Sequence, residues 1–121
     1  VWPGDWSAGS GYEVGRRIAA DPSITAVYCA NDEMAFGLIR ALHERGREVP
    51  QDVSVVGFDG IALSEYSFPP LTTVKQDFHR IGSELVRLVL EQLRSKAAPV
   101  SGRVLIPTEL IIRGTTAPPP R

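Results

Sequence analysis

The stretch AVYCANDEMAFGLIRALHERGREVPQDVSVVGFDG, residues 26–60, decides how this chain folds. Its first five residues, Ala26–Ala30, form an apolar run that stops on Asn31-Asp32. Met34, Leu38 and Leu42 then follow at helical spacing, with Ala35 and Ile39 beside them. Asn31 or Asp32 suits the helix start as an N-cap, and Glu33 suits its first turn. Gly46 stands where a helix closes, with Pro50 beyond it. A second apolar run, Val53–Phe58, ends on Asp59. Continuous β-branched runs bounded by turn signals read as strands buried on both faces, and strand–helix–strand in this order is the unit of a parallel sheet. The chain is therefore expected to be α/β, with a parallel sheet flanked by helices and right-handed crossovers.

The reading extends outward from that unit. After it, Gly60–Phe68 is a short helix or irregular loop ended by Pro69-Pro70. A third strand, Leu71–Val74, runs through Lys75 into Gln76-Asp77. Asp77 caps the longest predicted helix, to Ser95, whose apolar face carries Phe78, Ile81, Leu85, Leu88 and Val89. Lys96–Gly102 reads as a loop, and Arg103–Ile106 and Glu109–Arg113 as short β segments. The tail Thr115–Arg121, with Pro118-Pro119-Pro120, is expected to be mobile. Before the unit, a helix from Ser7 or Ser10 to Ala20 is expected. Ser10 and Glu13 have capping-box spacing, and Asp21-Pro22 closes the segment. Gly11 and Gly15 share one face and permit close approach of a neighbouring helix. Val1–Gly4 reads as the tail of a strand entering a turn; with no initiator Met, the chain reads as a piece of a longer protein.

At 121 residues the chain is one domain of ordinary size at most. With 43% hydrophobic and 22% charged residues, the composition is that of a globular protein in water. A net charge of −1 without a basic tract leaves no nucleic-acid footprint within these residues. No apolar segment is long enough for a membrane span or secretory signal. The single Cys29 reads as a small buried thiol, and one cysteine makes no internal disulfide, which fits a reducing compartment.

In open parallel sheets, ligands bind beyond the carboxyl ends of the strands. Three strands ending at Asn31-Asp32, Asp59 and Gln76 place amides and carboxylates on one rim, half of a site for a hydroxyl-rich small molecule. Each residue has a second reading. One of Asn31 and Asp32 is needed as a helix cap, leaving the other to face a ligand. Asp59 accepts two hydroxyls, or serves as an Asx-turn residue before Gly60. Gln76 completes the rim or is an ordinary exposed residue. Trp6, in a turn with Gly4 and Asp5, packs on the apolar face of a sugar or purine, or closes the helix start as a core aromatic. Phe78 reads rather as a core anchor than as a ligand contact.

Catalysis is poorly supported, and an α/β enzyme is the third option. Ser7 and Ser10 lack a nucleophile-elbow setting, and Cys29 has no local histidine. His43 and His79 lack metal-ligand spacing. Neither a G-x-G-x-x-G nor a P-loop is present, so nucleotide phosphates are not indicated.

The motifs ANDEMAFG, PQDVSVVGFD and FPPLTTVKQDF, in this order and spacing, with VLIPTELIIRGTTAPP at the end, resemble the LacI/GalR family of bacterial transcriptional repressors. The resemblance spans nearly the whole chain. It implies a half of a periplasmic-binding-protein-like core of two lobes: residues 1–76 and 106–116 in the C-terminal lobe, 77–105 a crossover helix packing on the N-terminal lobe, and 117–121 a mobile tail. It implies Trp6, Asn31, Asp59 and Gln76 as effector contacts, with Phe78 as a further candidate. The implied effector is a sugar, and no cofactor or metal enters. DNA would be bound only through an N-terminal headpiece outside this chain, in the cytoplasm and away from membranes. A homodimer is implied, with Gly11, Tyr12 and Gly15, Phe36 and Ile39, and Leu63 and Tyr66 as interface candidates. Relatives usually carry an acidic residue where this chain has Gly60. The alternative sharing this fold is a periplasmic sugar-binding protein of a transporter. The helix from Asp77, without its lobe, would expose an apolar face and drive self-association or element swapping.

Overall fold

Residues 1–94 and 103–119 are described by the structure, a computed structural model. The chain divides into two units, Val1–Lys75 with Glu109–Arg121, and Gln76–Thr108. The first unit holds α1 (Ala8–Ala19), β1 (Ala26–Tyr28), α2 (Asp32–Glu44), β2 (Ser54–Asp59), α3 (Leu63–Tyr66), β3 (Thr72–Lys75) and, after the second unit, a returning strand. The second unit holds α4 (Phe78–Arg94), and the returning strand is β4 (Glu109–Ile111).

The strands stand in the order β1-β2-β3-β4. β1 pairs parallel with β2 (Val27 beside Val55), and β2 parallel with β3 (Gly57 beside Thr73). β4 pairs antiparallel with β3, placing Glu109 opposite Lys75. The expected α/β fold with a parallel sheet is thus present, with an antiparallel edge strand that sequence reading did not specify. Arg103–Ile106, expected as β, forms no strand. The predicted loop at Lys96–Gly102 falls outside the described residues.

Not every strand is buried on both faces. β1 lies at the sheet edge, and its Tyr28 is 62% exposed. The apolar runs reflect burial nearer the sheet centre, where Val53, Val55 and Leu71 are inaccessible to solvent. These three join Ile18, Cys29, Ala35, Leu38 and Leu42 in one core between sheet and helices. Each large aliphatic side chain buried this way contributes about 1.5–3 kcal/mol. Burial pushes the Cys29 thiol up to about 12, with the nearby Asp32 carboxylate adding to it.

The glycine stripe of α1 works as the spacing suggests, and α2 is the neighbour it admits. A side chain at Gly11 would strike the Met34 backbone, one at Gly37 the Ala8 carbonyl, and one at Gly15 would sit 2.8 Å from the Ala41 methyl. Gly11 and Gly15 are buried in this contact and present no surface to a second molecule. Their place among the dimer candidates is therefore corrected. Ser10 is not the cap of α1 either. Ser7 is, its hydroxyl accepting from the Ser10 amide at 3.1 Å.

The start of the tail, at Thr115 and Ala117, is tied down where it was expected to be loose. Thr115 is fully buried; its hydroxyl donates to the Val55 carbonyl at 2.6 Å and accepts from the Thr72 amide at 2.9 Å. Ala117 exchanges hydrogen bonds with the Ser54 hydroxyl, both at 3.1 Å. Short polar side chains here satisfy backbone groups where the chain leaves the sheet. Arg121 and Pro120 lie outside the described residues.

In the second unit, Asp77 caps α4 as expected, its carboxylate accepting from the Arg80 amide at 2.9 Å. No residue of α4 is buried. Phe78, Leu85, Val89 and Leu93 are each more than half exposed, so Phe78 anchors no core in this chain. No helix among the described residues is long and apolar enough to cross a membrane.

Candidate functional site

Two non-glycine residues among those described adopt a left-handed backbone, Trp6 (φ 73°) and Asp59 (φ 108°). Such conformations cost about 1–3 kcal/mol each for ordinary side chains and concentrate at binding and catalytic sites. Both are residues that sequence reading placed at a ligand.

Trp6 is held from both sides. The Asp5 carboxylate accepts from the Ser7 amide at 3.0 Å and the Ser7 hydroxyl at 2.5 Å, and the Ser10 hydroxyl accepts from the Asp5 amide at 3.1 Å. Those donors from Ser7, with Ser10 beside them, lower the Asp5 carboxyl to about 2. From across the fold, the Asn31 amide donates to the Trp6 carbonyl at 2.8 Å. The indole itself remains 64% exposed, which removes the core-aromatic alternative.

Asn31 is the cap of α2, its side-chain oxygen accepting from the Met34 amide at 2.9 Å. One N–H and one lone pair of its amide are left over after these two bonds. The division of labour expected between Asn31 and Asp32 does not hold. Asn31 caps, but Asp32 does not face a ligand; it is fully buried. Its carboxylate accepts from the Thr73 hydroxyl (2.6 Å), the Ser64 hydroxyl (2.6 Å) and the Ile61 amide (2.9 Å). A side chain at Gly57 would collide with this carboxylate, which occupies the space over β2 that the glycine leaves. The signal was legible in part: Gly57 was read as a point of close approach, but not what approaches it.

Asp59 ends β2 opposite Lys75 of β3, half-buried. Gly60 follows with φ 69°, and a side chain there would lie 2.7 Å from the Lys75 Cα. The Asp59-Gly60 step therefore turns sharply while resting on the end of β3, a path open to glycine and strained for a residue with a side chain. Gln76 and Phe78 belong to the second unit, the first half-buried and the second 54% exposed. The structure thus links Trp6 and Asn31 directly, and ties Asn31's neighbour to the loop after Asp59.

Two clefts mark the first unit. One of about 530 Å³ runs along β1 and α1 and is lined by Trp2, Trp6, Val14, Val27, Met34 and Leu38 among others. Its apolar walls do not suit a hydroxyl-rich ligand. The other, of about 390 Å³, lies between α2 and α3 and is lined by Phe36, Ile39, Arg40, His43, Leu63 and Phe68 with Ser67. Tyr66 and Phe68 are 79% and 97% exposed. Phe36, Ile39 and Leu63 of the dimer candidates therefore share one surface. Tyr12 instead donates its hydroxyl to Glu44 at 2.6 Å, which raises the phenol and lowers the carboxyl. Among the described residues, no group of three or more His, Cys, Asp or Glu is placed to hold a metal.

The Trp6 turn, Asn31 at the start of α2 and Asp59 at the end of β2 make up the candidate site in the first unit. The chain belongs to the periplasmic binding protein-like domain family, whose pattern it matches over residues 2–116. Within that fold it corresponds to the effector-binding region of LacI-family regulators. It is 49% identical over 96 residues to the HTH-type transcriptional regulator MalR of Streptomyces coelicolor, covering 79% of this chain and 28% of that protein. The Lac repressor dimer bound to operator and the anti-inducer ONPF is 42% identical and superposes with a TM-score of 0.84, over 93% of this chain and 39% of that one. A LacI family transcriptional regulator from Enterococcus faecalis with bound ribose is 36% identical with a TM-score of 0.86, over 95% and 42%. The chain thus spans between about a quarter and two fifths of the proteins it matches.

Proposed function

We propose that this chain is the ligand-sensing portion of a LacI-type DNA-binding regulator of transcription, and that the whole protein takes a small effector, a sugar, between two lobes. The observation that carries the reading is that the two strained non-glycine residues, Trp6 and Asp59, are residues at which the family resemblance places effector contacts. The bound ribose of one relative supports the sugar class. In this reading the Asp59 carboxylate accepts two hydroxyls, the Asn31 amide donates and accepts with its remaining capacity, and the Trp6 indole covers the C–H face of the ring. Gln76 and Phe78, at the start of the second unit, are the further contacts that the family resemblance implies. In this reading α4 belongs with the N-terminal lobe, and the unit built on the sheet is the C-terminal lobe. Closure of the lobes changes operator affinity to the extent that the effector prefers one state. Phe36, Ile39, Leu63 and Tyr66 form the homodimer surface, with Tyr12 at its margin. The Lac repressor structure, a dimer on its operator, supports that assembly. DNA is bound through a headpiece outside this chain, which places the protein in the cytoplasm, and it acts as a switch rather than as an enzyme. The transporter alternative is not favoured by relatives named as transcriptional regulators.

The test uses the full-length protein on operator DNA, titrated with ribose, lactose, maltose and glucose. Asp59→Ala should weaken sugar binding about a hundredfold or more, two charge-assisted hydrogen bonds being lost, and leave operator affinity intact. An Asp59→Ala protein that responds to sugar like the wild type defeats the assignment.

A further inference from the structure

We propose that Asp32 is the positioning residue of the effector site: without touching the effector, its buried carboxylate clamps the Asp59 loop to β3 and so sets effector affinity. The proposal rests on the effector-site reading above.

The geometry is specific. Asp32 is fully buried, as are both hydroxyl-bearing partners, Ser64 and Thr73. One carboxylate oxygen takes the Thr73 hydroxyl; the other takes the Ser64 hydroxyl and the Ile61 amide. A buried carboxylate is tolerated only when such donors replace water, so losing one leaves a strongly unfavourable group and the local structure must yield. The element free to yield is the link Gly60–Ala62, because it has no regular secondary structure and connects β2 to the four-residue α3. That link leads directly from Asp59, whose left-handed backbone needs surrounding structure to hold it. The third partner, Thr73, is two residues from Lys75, on which Gly60 rests. Asn31, the next residue back, holds the Trp6 carbonyl. The Asn31-Asp32 pair at the start of α2 therefore fixes both strained residues of the site, Asn31 the Trp6 turn and Asp32 the Asp59 loop. A core role alone would be met by an apolar side chain; a carboxylate taking donors from a loop, a helix and a strand is the arrangement that registers three elements against one another.

The experiment follows amide hydrogen exchange and sugar affinity in the full-length protein, using the same four sugars. Thr73→Val removes one donor at nearly constant volume, and Thr73→Ser restores it. Asp32→Ala removes the acceptor. Asp32→Asn retains the clamp, since its oxygen accepts from Ile61 and Ser64 while its amide donates to a reversed Thr73 hydroxyl. Thr73→Val and Asp32→Ala should speed exchange at Ile61 and Ser64 about tenfold or more, leaving Leu38–Leu42 unchanged. Sugar affinity should fall at least about tenfold in Thr73→Val with operator affinity preserved, and Thr73→Ser and Asp32→Asn should recover both readouts. Exchange that is unchanged in the loop, or faster everywhere alike, overturns the proposal. So does a Thr73→Val protein with wild-type sugar affinity when Asp59→Ala has lost it. If Asp59→Ala also binds sugar normally, the effector-site reading falls instead, and the proposal falls with it.

Discussion

Arg47 offers the sharpest test of how the first unit is held together. Its guanidinium donates to the carbonyls of Asp21 and Ile24, both at 2.8 Å, and more distantly to Ile18 at 3.4 Å and Asp52 at 3.5 Å. It thereby joins the turn that follows α1 to the turn that precedes β2. The two short bonds are worth about 1.5–3 kcal/mol each as charge-assisted interactions, and the half-exposed position favours the lower part of that range. The two long ones add little. Arg47→Met keeps the aliphatic stem, so its loss of about 2–4 kcal/mol reports the polar head. Arg47→Lys, with a point charge that cannot fork, should lose about half as much. Urea unfolding of the chain, followed by far-ultraviolet circular dichroism, should show the midpoint of Arg47→Met falling by about 1–2 M at unchanged slope. A midpoint within about 0.3 M of the wild type refutes the clamp.

Further outcomes follow from the same geometry. Gly37→Ala drives a methyl into the Ala8 carbonyl and should lower stability by about 2 kcal/mol or more, read by the same titration; an unchanged midpoint means α1 and α2 are not in this close contact. Asp5, held near 2 by its serine donors against an ordinary 3.8, supports the Trp6 turn above that ordinary value and loses its hold as pH falls toward 2. In a Trp2→Phe background, Trp6 fluorescence should be constant from pH 7 to about 5 and shift below about 4, and Asp5→Asn should remove the shift. Leu85 and Leu93, 59% and 76% exposed on α4, should drive concentration-dependent association of the 121-residue chain. Light scattering should show it, and Leu85→Lys with Leu93→Glu should suppress it; a monodisperse wild-type monomer over a broad concentration range counts against this.

Much of the candidate site's local setting was legible because its residues sit at strand and helix ends, where periodicity changes. Asn31 and Asp59 each end an apolar run, and the place of such ends in a parallel sheet is a matter of topology. What periodicity does not carry is which neighbour a polar group meets. Asp32 looked interchangeable with Asn31 as a cap, yet it lies under Ser64 and Thr73, residues about 30 and 40 positions away in the chain. Thr115 sat in a segment that composition marks as loose, and two backbone groups on different strands fixed it. Gly11 and Gly15 announced a close helix approach without saying whether the partner was α2 or a second molecule.

Local pattern alone determined the α/β class, the strands at Val27, Val55 and Thr73, and the helix faces, because burial on a sheet or helix repeats with the geometry of the backbone itself. The antiparallel β4, the burial of Asp32 and the left-handed turns at Trp6 and Asp59 were decided only when distant segments met. Hydrogen-bond partners and backbone strain are properties of that meeting, and no spacing within a single segment encodes them.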